Sequence, residues 1–353
     1  MAPACGHAGA FISDLHRVLP SSSLSPSPTR THNRLEMDSA VPLAMSRRQL
    51  LAGTVAASCT VAARATESPA DAEPFRFCLN TATVMGQKLT LVEQVEVAAR
   101  AGYTGIEPWV RDLVAFAGNG GDAKDIGKRA RDLGLSVESA IGFCEWAVDD
   151  DERRRKGLEQ ARRELDLIAK IGGKRMAAPP AGAADRTDLN LLKVAERYRA
   201  LLEISASFGV VPQVEHWGHS RCLRRFGEAL LVALESGHPR ACVLTDVYHL
   251  YKGGSGYGWV RLVTPSALGV IHVNDYPDKP PVGDITDAAR VYPGDGVAPL
   301  AAFFRDLHAA GYGGPLSLEV FNREYWRQDA LQVARTGLDK LRNVVRKALA
   351  ATK

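Results

Sequence analysis

The chain has 353 residues, 46% of them hydrophobic and 24% charged, a globular composition long enough for one large α/β domain or two smaller ones. Its formal charge of +4 is unevenly placed: residues 1–65 carry six arginines against three acids, which leaves only +1 on the rest. A near-neutral body lacks the basic face that grips a nucleic-acid backbone, and six scattered cysteines without a CxxC pair exclude a zinc knuckle and a dense disulfide framework.

Residues 1–44 are rich in Ser, Pro and small residues ("LPSSSLSPSPTRTH") and cannot build a core. They are expected to be disordered, or to lie upstream of a true start at Met45. Residues 45–65, "MSRRQLLAGTVAASCTVAARA", then combine a charged start, an apolar stretch and the small-residue site Ala63-Arg64-Ala65. That is the layout of a secretory signal peptide, and the pair Arg47-Arg48 suggests the twin-arginine route to the bacterial periplasm. The apolar part is too short to span a bilayer comfortably, and no other segment is apolar enough for a stable membrane span.

From residue 75 the chain alternates between short apolar runs and helix-period stretches. Strands are predicted at 76–82, 104–109, 136–142, 174–179, 211–217, 242–248, 268–274 and 315–321. Amphipathic helices are predicted at 90–101, 122–133, 152–171, 189–207, 223–236, 298–310 and 329–350, with only a weakly helical link after the sixth strand. Eight strand-helix units predict a single (β/α)8 TIM barrel over 75–350, a fold of about 250 residues. The rival, an open doubly wound sheet, announces itself by a G-x-G-x-x-G turn after the first strand; this chain has "NTATVMGQ" there.

The carboxyl ends of barrel strands face the active site. Here they read Glu107 ("GIEPW"), Glu215 ("QVEHW"), Asp246 with His249 three residues on ("TDVYH"), His272 with Asn274 ("IHVND") and Glu319 ("LSLEV"). Singly, each has a structural explanation as a cap, a loop charge or an ion pair with a nearby Arg or Lys. Together, carboxylates converging in a low-dielectric mouth repel unless a cation stands among them. Glu215, Asp246, His272 and Glu319 therefore form the expected ligand set for one divalent metal ion. Three oxygens and one nitrogen suit Mn²⁺, Mg²⁺ or Co²⁺, with Zn²⁺ as an alternative. His249 is placed over the substrate or behind the ligands.

At these residues the chain resembles the sugar-phosphate isomerase/epimerase superfamily, the xylose isomerase-like barrels, which include ketose 3-epimerases, inosose dehydratases and endonuclease IV. The resemblance covers about residues 75–350 and rests most specifically on E…D-x-x-H…H…E. It implies that Glu215, Asp246, His272 and Glu319 hold one divalent metal, that Glu215 and Glu319 are also the catalytic acid/base pair, and that His249 holds the substrate. Glu107, Trp109 and Asn274 complete the expected substrate contacts. The trinuclear zinc site of endonuclease IV needs extra histidines that "IGFCEW" and "TDAARVYPGDG" do not supply, and the arginine that epimerases carry soon after the histidine of the seventh strand is absent until Arg290.

The implied chemistry is proton transfer beside a carbonyl. Return of the proton to the other face gives epimerisation, return to the neighbouring carbon gives isomerisation, and loss of a β-hydroxyl gives dehydration, as in an inosose dehydratase. A non-catalytic exported sugar-binding protein is the reading from a different class. Aromatic residues near the strand ends (Trp109, Phe143, Trp146, Trp217, Tyr248, Tyr251, Phe321, Trp326) and the lack of an Arg/Lys cluster point to a small, unphosphorylated sugar or keto-sugar as partner, and not to nucleic acid.

The leader carries its own test. Replacing Arg47 and Arg48 by lysine is expected to retain an active chain in the cytoplasm with its leader uncleaved, whereas the unaltered chain is cut near Thr66. Fractionation and N-terminal sequencing check both.

Overall fold

The computed structural model describes residues 73–350. The 1–44 stretch and the 45–65 leader lie outside the described residues. Nine parallel strands follow one another as β1 (Arg76–Asn80), β2 (Gly105–Glu107), β3 (Ser136–Val137), β4 (Ala140–Ile141), β5 (Arg175–Ala178), β6 (Val211–Glu215), β7 (Val243–Asp246), β8 (Leu268–Val273) and β9 (Pro315–Leu318). Their spatial order is β3-β2-β1-β9-β8-β7-β6-β5-β4. Only Glu138 and Ser139 separate β3 from β4 in sequence. The two ends of the sheet therefore meet in one broken strand, and the ring closes as the expected (β/α)8 barrel. Lys174 N donates to Val137 O (3.3 Å) and Ile141 N to Pro108 O (3.0 Å), tying this segment to both neighbours.

The sequence accounts for the elements locally. Strands sheathed by helices are buried on both faces, and all six residues of β8 are buried. Around them lie α1 (Leu91–Ala101), α2 (Val110–Gly118), α3 (Ala123–Asp132), α4 (Asp151–Lys170), α5 (Leu191–Ser205), α6 (Phe226–Glu235), α7 (Val247–Gly253), α8 (Leu300–Ala309) and α9 (Ala330–Ala350). Thr90 and Glu93 form a capping box on α1, while Asp122, Asp150 and Asn190 cap α3, α4 and α5. Such caps satisfy first-turn amides that otherwise lack partners. Helix α2 was not expected. It is short and follows Trp109, which gives it no side-chain cap.

Two cores result. The larger lies between strands and helices and includes Leu79, Ile106, Leu165, Val214, Phe303 and Leu338. The smaller fills the barrel interior with Ile141, Ala177, Leu244 and Val270, capped by Trp109. Side chains alternate along a strand, so the residues two beyond Leu244 and Val270 also point inward. These are Asp246 and His272, and the apolar plug gives way to a polar layer there. At the opposite end Glu138 is fully buried and meets Lys174 (2.8 Å), Arg76 (3.2 Å) and Arg175 (3.6 Å).

One close approach sets the mouth. A Cβ on Gly218 would lie 2.5 Å from His249 O and 2.6 Å from Gly253 N, so the loop after β6 packs against α7 only because residue 218 has no side chain. Gly218→Ala is expected to cost about 1–3 kcal/mol, as overpacking commonly does. A thermal melt should show a drop of several degrees; an unchanged midpoint would refute the contact.

Candidate active site

Asp246 shows how the local fold builds the site. It ends β7 and also caps α7: its Oδ1 accepts from His249 N at 2.7 Å. The D-x-x-H spacing is therefore that of a helix cap and the third residue of its first turn, which fixes His249 beside the acid. The second oxygen, Oδ2, faces inward and accepts from Asn274 Nδ2 (3.0 Å) and Arg290 Nη1 (2.8 Å).

Asp246, His272 and Glu319 each offer a ligand atom, all within 4.8 Å of one another. His272 Nδ1 lies 3.2 Å from Glu319 Oε2 and 3.9 Å from Asp246 Oδ2, yet it is buried without a hydrogen bond of proper geometry. Its other nitrogen, Nε2, is 3.0 Å from Glu107 Oε2. Glu107 Oε2 also accepts from Asn80 Nδ2 (3.0 Å) and Ser317 Oγ (2.7 Å). A carboxylate on Nε2 orients the ring and leaves the Nδ1 lone pair for a cation, a common arrangement behind metal-binding histidines. Two carboxylates and this nitrogen fit a divalent ion.

The structure distributes the expected residues unevenly. Glu215 lies outside the three-residue group but lines the adjoining pocket, so the four expected donors form a cluster of three with Glu215 facing the same space. Glu107 and Asn274 were expected to touch substrate. Both are fully buried: Glu107 holds His272, and Asn274 holds Asp246. His249 and Trp109 line the pocket.

Arg290 is the main residue sequence reasoning missed in this role. It stands 18 positions after His272, but an antiparallel bridge between Asp275 and Val291 brings it back to the end of β8. Its guanidinium is 1% exposed and lies over the rings of Tyr248 (4.6 Å) and Phe321 (5.0 Å). Nη1 donates to Asp246 Oδ2 (2.8 Å) and Glu319 Oε2 (2.9 Å), and Nη2 to Asp287 Oδ1 (2.5 Å) and His249 Nε2 (3.3 Å). No local sequence pattern marks that long return.

These contacts set the charges. Burial pushes the Glu215 carboxyl up to about 8, with Glu319, Asp246 and Glu107 adding to it against the pull of His272. Burial also raises Asp246, against Arg290. Burial opposes ionisation of Glu319 too, but His272 and Arg290 outweigh it and hold that carboxyl at about 2. Desolvation disfavours a charged His272, yet Glu319 and Glu107 keep it well above the usual imidazole range. Burial, then Arg290, drives His249 well below that range. A neutral His249 accepts from Arg290 at Nε2 and so carries its proton on Nδ1, which has no partner.

The pocket above the cluster measures about 260 Å³. One wall is an arc of rings: Phe321 beside Trp109 (6.2 Å), Trp109 beside Phe143 (5.2 Å), Phe143 beside Trp217 (6.1 Å), and Trp217 stacked on His219 (5.3 Å). Glu215, His249, Asp287, Arg290 and Glu319 supply the polar lining. His219 and Asp287 were also missed, since both sit in loops. Of the other expected aromatics, Trp146 is buried against Tyr198, Tyr251 stacks on Tyr276, and Trp326 bonds Ala82 O.

Comparison with known proteins agrees with this architecture. The family model described as xylose isomerase-like TIM barrel matches residues 95–344. A 3-dehydroshikimate dehydratase of Pseudomonas putida is 26% identical over 71% of this chain, which spans only 39% of that protein's length. An inosose isomerase of Bacillus velezensis is 23% identical over 77% of this chain and 98% of its own. Among solved structures, IOLI protein with a bound zinc atom superposes with a TM-score of 0.71 at 20% identity, covering 78% of this chain and 99% of that one. The barrel, its strand-end residues and the family match agree: the chain belongs to the xylose isomerase-like TIM barrel family.

Proposed function

We propose that the protein is a divalent-metal-dependent isomerase or epimerase of a small neutral sugar or keto-sugar. The observation that carries the reading is Glu215, a buried carboxyl pushed to about 8, lining the same pocket as Glu319 beside the Asp246–His272–Glu319 group. A carboxyl shifted toward neutrality exchanges a proton readily at the pH where the enzyme works. Relatives named inosose isomerase and 3-dehydroshikimate dehydratase support this class of chemistry.

A bound divalent ion supplies Lewis-acid polarisation of a ketone oxygen; Mn²⁺, Mg²⁺ and Co²⁺ suit the donors best, with Zn²⁺ as the alternative. In its ionised form, which a divalent ion beside it favours, Glu215 takes the proton from the carbon next to the carbonyl. His249 Nδ1–H is an unspent donor for a substrate hydroxyl. The ring arc covers a C–H face and excludes water. Glu319 is already engaged by Asn80, Arg290 and His272, so it serves as the fixed partner and Glu215 as the mobile proton carrier. Among the described residues lining the pocket, Arg290 is the one cationic Arg or Lys, and its contacts with Asp246, Glu319 and Asp287 leave little for a substrate carboxylate or phosphate. That favours a neutral substrate. Dehydration by the same residues is the second reading, favoured by the named dehydratase relative. Export through the twin-arginine leader belongs to this proposal.

Glu215→Gln is expected to keep its metal and lose about 10²-fold or more in turnover, the usual weight of a general acid–base group. Glu319→Gln should lose both turnover and metal. Metal analysis beside a ketose screen for solvent-deuterium incorporation reads both, and full activity in Glu215→Gln would remove the residue from the mechanism.

Metal binding should also strengthen with pH. Glu215 and His272 have raised folded pKa values, and their contributions to stability are complete below their unfolded values of 4.5 and 6.5. Glu215's share is lost as pH climbs through about 8, and that of His272 at still higher pH through its own folded value. A cation favours the deprotonated forms and offsets that loss. The rise in melting temperature on adding Mn²⁺ should therefore be larger at pH 8 than at pH 6; the reverse order would contradict the donor set.

A further inference from the structure

We infer that Arg290 is a built-in competitor for the metal site, an internal cation that weakens divalent-ion binding at Asp246, His272 and Glu319. The inference rests on the reading of those three residues as metal donors. Arg290 Nη1 bonds Asp246 Oδ2 and Glu319 Oε2, and these two oxygens are the ones that stand nearest His272 Nδ1. A cation bonded to either oxygen shares it with the guanidinium. Two cations on one oxygen repel strongly in a buried, low-dielectric site.

Arg290 could in principle help instead, by holding the donors in place. The structure supplies other supports for that task. Asp246 is fixed by His249 N (2.7 Å) and Asn274 Nδ2 (3.0 Å), Glu319 by Asn80 Nδ2 (3.0 Å), and His272 by Glu107 (3.0 Å). Removing the guanidinium leaves those four supports in place, and takes away the positive charge together with the Arg290 bonds to Asp246, Glu319, Asp287 and His249. Repulsion therefore outweighs preorganisation. The guanidinium is itself held from behind by Asp287 and covered by Tyr248 and Phe321, so it does not simply swing out to solvent. Each ion meets the same opposing charge, and Mn²⁺, at the weak end of the affinity order for such ligands, is the first to fall below useful affinity.

The test is equilibrium binding of Mn²⁺ and of Zn²⁺, each alone, to the full chain and to Arg290→Gln, by calorimetry. Arg290→Gln is expected to bind Mn²⁺ at least tenfold more tightly. Equal or weaker binding overturns the inference while leaving the metal site standing. If neither chain takes up either ion, the site and the inference fall together. A second measurement uses only the unaltered chain, should Arg290→Gln fail to fold. Adding Mn²⁺ loosens the hold of Arg290 on Asp246 and Glu319, so amide exchange in the 287–290 turn should speed up while the barrel strands slow down. Exchange in that turn that is unchanged or slower overturns the inference.

Discussion

Four carboxylates, Glu107, Glu215, Asp246 and Glu319, stand at the mouth of the barrel with at most 5% of their surface exposed. Among the described residues, the cations that answer them are Arg290 and a His272 held charged by its acid neighbours. Burying charge without a partner is costly, and breaking a buried pair by removing one member typically costs about 3–5 kcal/mol. The contacts follow from this. His272 answers Glu107 and Glu319, and Arg290 answers Asp246, Glu319 and the half-exposed Asp287. Glu215 is left without a close cation, and the solution at neutral pH is to keep its proton. The imbalance leaves more buried carboxylates at the mouth than side-chain cations to match them.

The same economy appears in the scaffold, where single residues serve two purposes. Asp246 ends a strand, starts a helix with one oxygen and faces the site with the other. Asn80 caps the turn after β1 through Oδ1 and uses Nδ2 to bridge Glu107 and Glu319. Because backbone amides fix one side of each group, the inward atoms are held without relying on long flexible side chains. Preorganisation of this kind lowers the reorganisation needed when charge shifts during reaction.

Much of this was legible in the sequence. Apolar runs alternating with helix-period segments point to a parallel sheet buried on both faces, and eight such units without a G-x-G-x-x-G turn favour the barrel over the doubly wound sheet. Strand-end polar residues stand out against that apolar background, which is why Glu215, Asp246, His272 and Glu319 could be named. What sequence could not give was direction and partnership. Glu107 and Asn274 look like substrate contacts by position, but one residue's depth decides whether a carboxylate faces the pocket or the back of an imidazole. Arg290 reaches the site through a long loop whose return depends on the Asp275–Val291 bridge, a tertiary pairing without local signature. Helix α2 escaped because it is only nine residues long and lacks a side-chain cap.

Two buried glutamates show how position in the barrel separates structure from chemistry. Glu138, at the amino-terminal end, is also desolvated, but hydrogen bonds from Lys174 and Ser136 and the charge of Arg76 outweigh burial and draw its carboxyl below the ordinary range. It is ionised, satisfied and inert, the anchor of the broken strand that closes the ring. Glu215, at the carboxyl-terminal end, has the same side chain but is more strongly desolvated and faces acids instead of bases. The Glu215 carboxyl is held near neutrality first by burial and then by the acids of the neighbouring strand ends, whereas the Glu138 carboxylate at the opposite end is met by bases.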